Sequence, residues 1–106
     1  MRNHTKVYMT FFYLDESDYI ACEMCNAPGQ DIHHIQARGL GGSKNRDYIE
    51  NLICLCRDCH NRAEADKEFN TYCRIQHLEN IKKYLYENYI DRNKIQDRLV
   101  ISNTRI

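Results

Sequence analysis

Two Cys-x-x-Cys turns, Cys22-Glu-Met-Cys25 and Cys56-Arg-Asp-Cys59, constrain this chain more than anything else in it. A two-residue gap lets both sulfurs of a turn face one ion, and four soft thiolates in a tetrahedron suit Zn²⁺. Two matched turns about thirty residues apart predict a closed structural zinc site that holds distant segments together. Cys54 lies two residues before Cys56, on the same side of a strand, and is expected in the core beneath the turn. Cys73 falls on an apolar helix face and reads as a small core residue.

The second turn belongs to a denser stretch, Asn51-Leu-Ile-Cys-Leu-Cys-Arg-Asp-Cys-His60. Cys59 and His60 are neighbours, so their side chains diverge and do not comfortably serve one tetrahedral ion. That predicts two metal sites on one backbone, a closed one behind and an open one in front. The 106 residues suffice for a single domain with one modest core, here divided into an N-terminal arm (1–21), a zinc-stapled core (22–66) and C-terminal helices (67–106). With no apolar run of membrane-spanning length and no signal-peptide pattern, the expected location is the cytoplasm, with no membrane partner. Six cysteines in a reducing compartment point to metal ligation over disulfides.

Along the chain, aromatic and branched residues from Lys6 to Leu14 predict a strand or extended arm, and Tyr19 to Cys22 a helical turn. Asp31 to Gln36 and Leu52 to Leu55 read as strands, joined by the glycine-rich loop Arg38-Gly-Leu-Gly-Gly-Ser-Lys-Asn-Arg46. From Arg57 onward there is no proline or glycine, which predicts helix. There Phe69, Tyr72, Cys73 and Gln76 share one face, and Leu78, Ile81, Leu85 and Tyr89 another. The offset predicts two helices, or one bent helix, to about Asp91, with Leu99 to Ile101 as a last turn or strand.

A zinc ribbon accounts for the cysteines but not for His33-His34, Asn51 and His60. Adjacent histidines on a strand face opposite sides, so one can bind a metal while the other reaches a water. If the strands pair as a hairpin, its histidines fall near the start of the helix carrying His60. This order of Cys22-x-x-Cys25, Asp31-Ile-His-His-Ile35, Gly41-Gly42, Asn51-Leu-Ile, Leu55-Cys56 and Cys59-His60 resembles the His-Asn-His (HNH) endonucleases from Cys22 to about Arg62. It is most similar to the small four-cysteine members found in phages and bacteria.

The resemblance implies an α+β fold with a ββα-metal (His-Me finger) core, a structural four-cysteine zinc site and a C-terminal helical extension. It implies metal-dependent hydrolysis of phosphodiester bonds in DNA, leaving 5′-phosphate and 3′-hydroxyl ends. His34 would be the general base, while His33 and His60 hold a catalytic Mg²⁺, Mn²⁺, Ni²⁺ or Zn²⁺. Asn51 would join the metal shell or orient His34 through the loop backbone. Asp31 is an alternative ligand or a hydrogen-bond acceptor for a ligating histidine. Glu64, one helical turn after His60 where many members carry a further histidine, completes the shell or is solvated.

Arg38, Lys44, Arg46, Arg57 and Arg62, with the loop's backbone N–H groups, are the expected phosphate contacts, and double-stranded DNA is the expected partner. Tyr84, Tyr86 and Tyr89 beside Lys82 and Lys83 suggest base stacking, although helix-face packing or self-association explains them better. The formal net charge is zero, which predicts modest, salt-sensitive affinity and leaves room for a homodimer or a phage or bacterial protein to aim the domain. Two rival readings are a non-catalytic zinc-ribbon module that binds nucleic acid or protein, and an HNH accessory subunit of a packaging or assembly complex.

Overall fold

The computed structural model describes residues 1–39 and 44–90. The loop glycines Gly41 and Gly42, the turn or strand expected over Leu99 to Ile101, and Asp91 lie outside the described residues. The elements run α1 (Asn3–Phe11), β1 (Asp31–His34), β2 (Leu52–Leu55), α2 (Arg57–Ala65) and α3 (Lys67–Leu85), an α+β arrangement. Short 3-10 turns at Lys44–Arg46 and Ile49–Asn51 lead into β2. None of the described helices is long and apolar enough to cross a membrane.

β1 and β2 pair antiparallel, with His33 opposite Ile53 and His34 opposite Leu52. Every β2 residue is buried, because both faces of the hairpin are covered. Leu52 and Cys54 pack with Tyr8 and Met9 of α1, while Ile53 and Leu55 join Ala63, Phe69 and Cys73 from α2 and α3. The two-residue repeat of the strand thus divides the core into two layers. Cys54 lies in the core as expected, close under Gly29, where an added Cβ would collide with its sulfur and with the Ile20 carbonyl.

Lys6 to Leu14 is not extended. Most of it is the helix α1, whose Tyr8 and Met9 fill the layer over Leu52 and Cys54. Strand propensity yields here to a tertiary contact that a helix makes better, because α1 brings Val7, Tyr8 and Met9 to one layer. Tyr19 to Cys22 is not a helical turn either, since Ala21 forms a β-bridge with Pro28 and shapes the first cysteine turn.

The helical tail divides at Asp66, whose backbone is extended and whose carboxylate accepts from the N–H groups of Glu68 and Phe69. Beyond it, α3 buries one stripe, Phe69, Cys73, His77 and Ile81, at four-residue intervals. Tyr72 and Leu78, placed on the two apolar faces by sequence, are exposed, and His77 bridges the stripe instead. Tyr84 packs its ring against Phe11 of α1 and Phe12 just after it, so packing accounts for it.

Candidate functional site

The sulfurs of Cys22, Cys25, Cys56 and Cys59 gather where one ion would reach them all. A tetrahedral zinc with bonds of about 2.3 Å spaces its sulfurs by roughly 3.8 Å. Cys25 and Cys56 Sγ stand 3.7 Å apart. Burial alone would raise the thiol of Cys22. Backbone N–H groups of Cys56, Cys25 and Met24 outweigh it and bring that thiol down to about 7. Donors aimed at that sulfur favour its thiolate, whereas burial and the neighbouring sulfurs raise Cys59, so it is the gathering and spacing of the four sulfurs that fit zinc. Cys56 also caps α2, its sulfur accepting from the Cys59 N–H.

In front of this staple, β1 and α2 bring three imidazoles to one open cleft of about 610 Å³. His33 and His60 have ring centroids 4.9 Å apart, and with Glu64 they form a group able to hold one ion. Each ring is held by a neighbour. The Nδ1–H of His60 donates to Asp31 Oδ2 at 2.9 Å, leaving Nε2 beside Glu64 at 3.1 Å. Asn70 donates its amide N–H to the Ile35 carbonyl, which turns its oxygen toward His33 Nε2 at 2.8 Å and leaves Nδ1 with a lone pair. Burial, and then the proximity of His60, hold the His33 ring below the ordinary imidazole value against the opposing pull of Asn70. A ligand must be neutral, so this shift suits a metal site.

Asp31 thus sits behind His60 as a hydrogen-bond acceptor, where it also takes two bonds from Arg57. Those bonds, led by Arg57, keep its carboxyl below the ordinary aspartate value. Nothing in the linear sequence singles out Asn70, since only the packing of α3 on the hairpin brings it to β1.

His34 faces away from His33, as strand alternation requires. Its Nε2–H donates to Asp47 Oδ1 at 2.7 Å, and the Asp47 side chain is 1% exposed. Asn3 donates to the other oxygen at 2.8 Å and Arg38 lies 3.4 Å from the first. Burial would raise the Asp47 carboxyl, but these donors keep it below the ordinary value. His4, to which the sequence assigned no role, stacks on His34 with ring centroids 4.7 Å apart.

Asn51 stands away from both groups, 1% exposed. Its oxygen accepts from the Gln36 N–H, and its amide donates to the carbonyls of Gln36 and Arg46. Of its two expected positions, this is the one on the loop backbone. Asn51→Ala leaves those backbone groups without partners, and a loss of about 1–3 kcal/mol is expected in urea denaturation.

Of the expected phosphate contacts, Arg38 lines the cleft, joined there by Arg2 and Lys67, which the sequence did not single out. Arg57 is paired with Asp31 and the Arg62 guanidinium lies 4.1 Å over the Phe69 ring. Arg46 contributes its carbonyl to Asn51, and the Lys44 side chain lies outside the description.

Residues 22–66 match the family model described as HNH endonuclease, the family whose motif the sequence resembles. That segment holds both cysteine turns, the hairpin and α2, and points to nuclease-type function. No curated protein and no solved structure matches the chain.

Proposed function

We propose that residues 22–66 form a ββα-metal nuclease centre that hydrolyses phosphodiester bonds in double-stranded DNA. The observation that carries this reading is the meeting of His33, His60 and Glu64 around one point of a cleft that His34 also lines. A zinc-ribbon module without catalysis gives no account of that group. His33, His60 and Glu64 would hold the divalent ion. When bound, such an ion polarises the phosphodiester and stabilises the charge that grows on the leaving 3′ oxygen.

The chain's own residues do the rest. Asp47 occupies Nε2 of His34 and fixes its tautomer, so Nδ1 is the nitrogen left to take a proton from water. Arg2, Arg38 and Lys67 offer positive charge to phosphates along the cleft. Asn51 acts as a positioning residue, closing the loop that carries Asp47. Asp31 and Asn70 hold the two ligating rings.

The test is nicking of supercoiled plasmid by the pure protein with Mg²⁺, Mn²⁺ or Ni²⁺. His34→Ala is expected to lose about 10²–10⁴ in rate, the share usual for a general base. Undiminished cutting by that variant would sink the assignment of the base.

A further inference from the structure

A second cluster of metal-binding groups lies farther along the same cleft, on the His34 side of β1. His4, His34 and Asp47 each bring one ligand atom into a common space, within 4.8 Å of one another. They come from α1, β1 and the turn before β2, so the fold, and not local sequence, assembles them.

The second observation is the state of His4. It is 9% exposed, yet neither ring nitrogen hydrogen-bonds to any other described residue. It also borders the open cleft, so its unbonded nitrogen is one that an ion entering from solvent can reach. His4 abuts a carboxylate whose outer oxygen is already fixed by Asn3 and a histidine 2.7 Å from the inner one.

We propose that His4, His34 and Asp47 form a second site for a divalent cation of borderline softness, such as Zn²⁺ or Co²⁺, and that filling it silences His34. Two imidazoles and one carboxylate are the donor set that such ions prefer over Mg²⁺. Arg38, 3.4 Å from Asp47, opposes the incoming charge, so the site fills only after the four thiolates have done so.

The chemistry of the silencing balances simply. The ion takes the Nε2 lone pair of His34, and the proton formerly shared with Asp47 passes through solvent to Nδ1. A neutral, metal-bound ring keeps its one N–H at Nδ1, the nitrogen needed to accept a proton from water. This regulatory meaning rests on the nuclease reading; the ion site itself does not.

Ion counting on the full zinc-stapled chain tests it. Titration with Co²⁺ is expected to add two ions to the wild type, one to His4→Phe and one to His60→Ala. A crystal of the wild type soaked in Co²⁺ is expected to show anomalous density bonded to His4, His34 and Asp47, which needs no variant to fold. Density at His33 and His60 alone would overturn the site. In plasmid nicking with Mg²⁺, added Zn²⁺ is expected to slow the wild type by about 10² or more, with His4→Phe resisting. Equal inhibition of both would remove the switch. A protein that binds the ion at His4 but cuts no DNA would instead retire only the nuclease reading.

Discussion

Stripping the ion from the four-cysteine site, or replacing Cys56 with serine, unfolds the protein instead of merely weakening it. The expected result follows from where the ligands sit. Cys22 and Cys25 precede β1, Cys56 begins α2 and Cys59 lies in its first turn, so one ion ties the entry of the hairpin to its exit. The sheet has only two four-residue strands, which are marginal without support. Structural zinc contributes about 10–16 kcal/mol of apparent binding energy, against a typical net stability of about 5–15 kcal/mol. Loss of the helical far-UV circular dichroism on chelation, restored by Zn²⁺, is the expected record. A chelated protein that still melts cooperatively at an unchanged temperature would show that the staple is dispensable.

The next largest effect concerns a buried pair beneath the first turn. His77 is fully buried, with Nδ1 2.8 Å from Glu23 Oε1 and Nε2 2.6 Å from the Ile49 carbonyl. Both neighbours are acceptors, and only a doubly protonated ring donates to both. Glu23 also accepts from Tyr8 at 2.5 Å and Asn80 at 2.8 Å, so α1, the first cysteine turn and α3 converge on one carboxylate. Removing one member leaves the other charge buried, and His77→Leu or Glu23→Gln is expected to cost about 3–5 kcal/mol in urea denaturation.

The pH dependence of that cost has a definite sign. Burial would raise the Glu23 carboxyl, but the bonds from His77, Tyr8 and Asn80 prevail and hold it below its ordinary 4.5. A depressed carboxyl contributes stability that is present above the unfolded value and lost as pH falls through the folded one. Wild type and Glu23→Gln are therefore expected to converge below about pH 4.5. A gap that widened in acid would contradict the pairing.

What the sequence reveals and what it hides divide along a physical line. The cysteine turns, the hairpin and the start of α2 are visible because spacing of two and periods of two are local. His33, His34 and His60 stand out for the same reason, as chemically distinctive residues at strand and helix ends. Asp47, Asn70 and His4 do not, because nothing in a linear reading brings a loop, a distant helix and the first turn of α1 to one strand. Glu23 and His77 are hidden for another cause. A glutamate inside a cysteine turn and a histidine outside the motif carry no signal of their own until their mutual burial is known. The N-terminal arm shows the limit of propensity, since residues that favour a strand in isolation form a helix once a sheet face needs covering.

The sulfur of Cys56 both joins the zinc cluster and starts α2, which gives the staple control over the bearing of His60. Each residue advances an α-helix by about 100°, so one amino acid inserted between Cys59 and His60 would swing that imidazole out of the cleft.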